Sequence, residues 1–279
     1  MLIKRLITGP LLILLLLALL WADELVGTQS IGGDTELPRG LVLLGLLLVA
    51  SAFAVVELST VAIAAGRRVA AGLVMAGCWA LLLTIWGNSA GPQTIGWPLC
   101  VIAACWFASL VVHTRGHRTT GVFTDAAISV ATIVYVGGFL GFYLLIRQDV
   151  SAWWILAVVL ITKSCDIGAY FTGMACGRHK LIPWLSPGKT VEGLAGGVIF
   201  AVCIAIVANY LLSDAGFTAL TWPMTIVLGL LLALFGQAGD LCMSLLKRDA
   251  GIKDSSSILP GMGGVMDVLD SVLLVGPVA

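Results

Sequence analysis

The chain has 279 residues, 59% of them hydrophobic and 11% charged, with a formal net charge of zero and a mean hydropathy of +1.07. A soluble domain carries roughly 25% charged residues, so composition excludes one and points to a polytopic membrane protein. A net charge of zero identifies no partner by itself, and no nucleic-acid partner is expected.

A membrane-spanning helix needs about 20 mostly apolar residues. Nine segments qualify in chain order: 6–22, 41–65, 69–87, 97–113, 123–146, 152–173, 191–213, 222–246 and 264–279. The first follows Lys4 and Arg5 and has the outline of a signal peptide. Leu20, Trp21 and Ala22 make a poor cleavage site, so it is read as a first helix. The fold class is therefore all-α, a single membrane domain over 1–279 with about nine transmembrane helices. Seven cysteines form no CxxC pair, and neither a disulfide framework nor a zinc site is expected. No fixed-period repeat is visible.

The bases orient the spans. With the N-terminus in the cytoplasm, the inner segments collect Lys4, Arg5, Arg67, Arg68, Arg115, Arg118, Arg178, Lys180, Lys189, Lys247, Arg248 and Lys253. The outer segments hold only Arg39 and Arg147, and Lys163 lies within a span. This bias is what the positive-inside rule expects. The acidic residues Asp23, Glu24, Asp34 and Glu36 then fall outside.

Residues 1–150 carry few motifs, whereas 151–279 hold nearly all the unusual polar side chains. An ionisable group inside a span costs several kcal/mol unless it is paired, solvated or bound to a metal. The candidates are Glu57, Lys163, Asp166, Asp240, Asp267 and Asp270. Glu57 reads as a partnered structural charge, because nothing near it in sequence suggests a site. Lys163 and Asp166, at i and i+3, are spaced for an ion pair on one helix. Asp267 and Asp270 repeat that spacing with no nearby base C-terminal to them. Together with Asp240 they form three carboxylates without obvious counter-ions, which call for a hard cation such as Mg²⁺ or Mn²⁺. Gly263 and Gly264 would let backbone or a phosphate approach closely. Upstream, Ser186, Lys189 and Thr190 in SPGKT combine hydroxyls, a glycine and a lysine, the groups of a phosphate site. The GxxxxGK[ST] spacing is missing, and a surface turn before a helix accounts for the segment equally well. These pieces all fall at the cytoplasmic face, which suggests chemistry on a lipid phosphate with a nucleotide from the cytosol.

The segment SLLKRDAGIKDSSSILPGMGGVMDVLDS resembles the C-terminal signature of the phosphatidate cytidylyltransferase family. Ser244, Lys247, Arg248, Lys253, Asp254, Gly263, Gly264, Asp267 and Asp270 fall at its spacing, and DIGAYFTG and LSPGKTVEG resemble two further shared segments. Two positions depart: Met262 stands where that pattern has histidine, and Val268 where it has arginine. The resemblance implies transfer of CMP from CTP to phosphatidic acid. Asp240, Asp267 and Asp270 would bind Mg²⁺, with K⁺ or a second Mg²⁺ beside it. Lys189, Lys247, Arg248 and Lys253 would steady phosphate charge. Ser186, Thr190 and Ser244 would donate hydrogen bonds, and Asp166 would orient a base or join the metal shell. It also implies a homodimer and, for this compact chain, the bacterial inner membrane. Rival readings are a cytidylyltransferase for another lipid phosphate and an ion-coupled transporter, since intramembrane charges serve transporters too.

Overall fold

In the computed structural model, residues 2–27, 39–87, 96–115, 119–217, 219–256, 258–259 and 263–279 are described. Asp34, Glu36, Arg118 and Met262 lie outside them, as do the side chains of Lys4 and Arg5.

The helices in chain order are α1 (Leu2–Gly27), α2 (Leu41–Ala64), α3 (Ala71–Gly87), α4 (Gly96–His113), α5 (Val122–Ile133), α6 (Phe139–Asp149), α7 (Ala152–Cys176), α8 (Val191–Asp214), α9 (Trp222–Asp249) and α10 (Met266–Val275). A π-helical turn, Val134–Gly138, joins α5 to α6, so 122–149 forms one broken span. A Cβ at Gly137 would stand 3.0 Å from the Cys78 Cα, so the extra-wide turn lies where α3 comes closest. Among the described residues, seven helices are long and apolar enough to cross a membrane, and α3 is a shorter apolar one. The protein is a polytopic membrane protein, built of helices that satisfy their interior N–H and C=O groups within their own segments as hydrocarbon requires.

The expected number of spans needs correction. The ninth expected span, 264–279, contains a helix of 10 residues, about 15 Å long against a hydrocarbon thickness of about 30 Å. Its carboxylates lie toward its start, and Val272, Leu273 and Val275 in its second half are buried. The all-α class holds, and one small hairpin accompanies the helices. Strands β1 (Lys180–Ile182) and β2 (Ser186–Thr190) pair antiparallel, Lys180 opposite Thr190 and Ile182 opposite Ser186.

Packing follows small residues. Gly193, Gly197, Ala201 and Ala205 repeat every fourth position on the buried face of α8, which lets two backbones approach closely. A Cβ at Gly197 would lie 2.6 Å from the Cys165 carbonyl oxygen of α7. At the far end of the bundle, Arg147 Nε meets Asp23 Oδ2 at 2.5 Å and its Nη2 meets Glu24 Oε2 at 3.1 Å. Asp23 also accepts the Val42 and Leu43 N–H groups at 2.9 and 3.1 Å, capping α2 from outside the helix. Asp23, Glu24 and Arg147 thus form one ionic knot.

Candidate active site

The opposite end is built around the hairpin. Glu192, in the first turn of α8, accepts the Arg178 and His179 N–H groups at 3.1 Å and meets His179 Nδ1 at 2.5 Å. Thr190 Oγ1 accepts the Gly193 N–H at 3.1 Å as the N-cap of α8. Thr190 is buried, and this bond uses its oxygen as an acceptor. With both ends tied, β2 aims Lys189 across to α9. Its Nζ lies 2.6 Å from Asp240 Oδ2 and 2.8 Å from Gln237 Oε1. Gln237 Nε2 in turn donates to Asp166 Oδ1 at 2.6 Å. One polar chain therefore links β2, α9 and α7.

A second chain holds α10. Asp267 Oδ1 accepts Lys247 Nζ at 2.7 Å, and its Oδ2 accepts the Gly264 N–H at 2.9 Å and the Ser255 hydroxyl at 3.3 Å. Gly263 has φ 92°, a conformation that favours glycine, and any Cβ there would strike the Asp267 carboxylate. Beneath this turn sits Glu57 of α2. It accepts Ser256 Oγ at 2.6 Å, Ser255 Oγ at 3.1 Å, and the Val265 and Met266 N–H groups at 2.9 Å each. An anion at the start of a helix satisfies orphan donors and matches the helix dipole.

The three carboxylates are therefore not free of counter-ions. Lys189 neutralises Asp240 and Lys247 neutralises Asp267, because the tertiary fold brings in bases distant in sequence. Asp270 differs. It is 4% exposed and accepts a hydrogen bond from the adjoining Ser271 N–H, with Lys163 the nearby positive charge. Lys163 and Asp166 come within 3.9 Å, and Lys163 Nζ donates to Ser271 Oγ at 2.6 Å. Among the described residues no three acidic, His or Cys side chains form a compact metal cluster. The oxygen-only donors fit Mg²⁺ nonetheless, since Mg²⁺ is commonly held by one or two carboxylates, with substrate phosphates and waters completing its shell.

Two cavities of opposite character meet here. The smaller, about 210 Å³, is lined by Leu185, Ser186, Pro187, Ser244, Lys247, Arg248, Lys253 and Asp254. It gathers six of the expected site residues. The larger, about 660 Å³, runs between α1, α2, α6, α7 and α10, with walls such as Leu16, Leu47, Ile155 and Val272 and a polar end at Lys163, Asp166 and Asp267. Val268 is in its wall. The Lys247–Asp267 pair stands between the two, one partner lining each. The sequence reading missed Glu57, Gln237 and Ser255 as parts of the site. A polar side chain inside an apolar run was the only signal for the first two.

The whole of residues 3–279 matches the family described as the cytidylyltransferase family. A phosphatidate cytidylyltransferase of Staphylococcus haemolyticus is 39% identical over 199 residues, 71% of this chain and 74% of that protein. One of Staphylococcus aureus is 44% identical over 158 residues, 56% of this chain and 58% of that protein. The uncharacterized protein YnbB of Escherichia coli is 43% identical over 124 residues, 44% of this chain and 40% of its own length. Helices, paired cavities and sequence agree: the chain belongs to the cytidylyltransferase family.

Proposed function

We propose that this protein transfers CMP from CTP to phosphatidic acid, giving CDP-diacylglycerol and pyrophosphate. The observation that carries the reading is the meeting of a polar, basic cavity and an apolar one at the Lys247–Asp267 pair. A nucleotide triphosphate suits the first and acyl chains suit the second. The names of the staphylococcal relatives support the same reaction.

The lipid phosphate is ionised near neutral pH, so no side-chain nucleophile is needed. One of its oxygens attacks the α-phosphorus of CTP, the bond to the bridging β-phosphate oxygen breaks, and pyrophosphate leaves with that electron pair. Catalysis then consists of positioning and charge stabilisation. Lys247, Arg248 and Lys253 hold the triphosphate, with Ser186 and Ser244 as hydroxyl donors. Lys189, steadied by Asp240 and Gln237, meets the leaving phosphates. Asp240, Asp267 and Asp270 would hold Mg²⁺, with K⁺ or a second Mg²⁺ as companion, which supplies positive charge to the phosphoryl oxygens when bound. Asp254 closes the nucleotide cavity, and Gly263 and Gly264 form the tight turn that holds the Asp267 carboxylate. Residues 151–279 form the catalytic region, with Glu57 bracing it from the N-terminal half.

The site faces the cytoplasm of a bacterial inner membrane in this reading. The support is the collection of bases at this end and the bacterial source of the relatives. A second reading, a different lipid phosphate as acceptor, is favoured by the apolar Val268 in the cavity wall.

The test uses purified protein in lipid nanodiscs with α-labelled CTP, phosphatidic acid and Mg²⁺. Labelled CDP-diacylglycerol that disappears in Asp270→Asn is expected. Bound CTP without labelled lipid would move the acceptor to another lipid phosphate, and no CTP binding would overturn the reading.

A further inference from the structure

Along α7, Ile155, Val159 and Lys163 line the larger cavity on one helical face, followed by Asp166 and Ile167. Eight residues separate Ile155 from Lys163, about 12 Å of rise, so the apolar wall becomes polar at Lys163. Tyr143 also lines the cavity, but its hydroxyl is spent on the Val272 carbonyl oxygen at 2.7 Å. Asp267 is neutralised by Lys247, and Asp166 is engaged by Gln237. Lys163 is thus the one cation lining this cavity among the described residues.

Its present partners leave it underused. The Lys247–Asp267 pair closes to 2.7 Å, whereas Lys163 stays 3.9 Å from Asp166 and donates to the neutral Ser271 hydroxyl. Its side chain is 33% exposed and lines the polar end of an apolar cavity. On the opposing helix, Val268 contributes no charge to that space. An ammonium on a four-carbon stem is a compact charge able to meet a phosphate without fixed geometry.

We propose that Lys163 seats the phosphate of the lipid acceptor, holding a phosphate monoester at the head of apolar chains and selecting it over a neutral headgroup. This rests on the lipid-phosphate reading of the same cavity. Lys163 is a specificity-determining residue for the acceptor, separate from the bases that line the nucleotide cavity. A merely structural role, as counter-charge to Asp166 and Asp270, would act on turnover without distinguishing the two substrates.

The experiment has two readouts. The first is binding of a phosphatidic acid with a fluorescent acyl chain to the full-length protein, without CTP, beside a diacylglycerol carrying the same label. The second is initial rate as lipid and CTP are varied separately. Loss of one charge-assisted hydrogen bond predicts that Lys163→Met weakens phosphatidate binding by about tenfold or more. The lipid KM should rise in parallel, with diacylglycerol binding and the CTP KM held within about twofold. Lys163→Arg should retain binding, and Val268→Arg added to Lys163→Met should restore it from the opposite wall. Should Lys163→Met fail to fold, Val268→Glu, with Lys163 intact, should weaken phosphatidate but not diacylglycerol. Unchanged phosphatidate binding in the folded Lys163→Met protein, or in Val268→Glu in its place, would overturn the inference. So would equal changes in both KM values. Lys163-dependent phosphatidate binding in a protein that makes no CDP-lipid would leave the inference standing and sink the proposed reaction instead.

Discussion

Asp267 has one oxygen on Lys247 and the other on the Gly264 N–H and Ser255 hydroxyl. It couples the nucleotide cavity to the turn that starts α10. Asp267→Asn keeps the shape and removes the charge, so the protein should remain folded while CTP-dependent turnover falls by about 100-fold or more. Undiminished Mg²⁺-dependent turnover in a variant with normal thermal unfolding would contradict this. Glu57 gives a different expectation. Glu57→Gln weakens four accepted hydrogen bonds, two of them from the α10 backbone. A bond to a charged group contributes about 1.5–3 kcal/mol, so melting should shift measurably downward. Activity should fall through kcat, because the turn carrying Asp267 loosens while neither cavity loses a lining residue. The sequence reading correctly took Glu57 for a partnered structural charge. Its partners, Ser255 and Ser256, lie 198 and 199 residues away, which no local pattern reveals.

At the level of helices, close approach makes glycines testable. A Cβ at Gly239 of α9 would stand 3.1 Å from the Ser271 Cα and closer still to the Asp270 carbonyl. Gly239→Ala should push α10 outward, displacing Asp270, at a packing cost of about 1–3 kcal/mol. Gly45→Ala, where a Cβ meets nothing within 4 Å, is the matched control and should be neutral in both melting and turnover. Helix existence was legible because a run of apolar residues must bury its backbone polarity locally. The ninth element was not, since hydropathy cannot distinguish a crossing helix from a short one packed against the bundle. The hairpin was equally hidden: SPGKT reads as a turn, and its pairing with Lys180–Ile182 depends on Glu192 and Thr190 tying its base.

Across the whole molecule, one charge knot meets α7 at its first residue and the other meets it ten residues before its end, at Asp166. Glu24 meets the Ala152 N–H in the first, and Lys189 reaches Asp240 and Gln237 in the second. The positive-inside assignment predicts that a cysteine at position 188, in a background lacking native cysteines, reacts with impermeant reagent only from the cytoplasmic side. A Cβ at Gly188 meets nothing within 4 Å, so the probe itself should be tolerated. Labelling from the outer side would invert the orientation.

The sequence by itself determined that this is a membrane protein, where most helices run, and that the charged residues Lys163, Asp166, Asp240, Asp267 and Asp270 lie inside apolar segments of 151–279. Those properties are local sums of transfer free energy and helical spacing. Only the tertiary structure decided that Lys189 and Lys247 neutralise two of the three carboxylates, that Glu57 braces α10, and that Thr190 caps a helix. It alone set Lys163 at the polar end of an apolar cavity. A buried charge takes whatever partner the packed helices bring within about 3 Å, and that choice is made between helices remote in sequence.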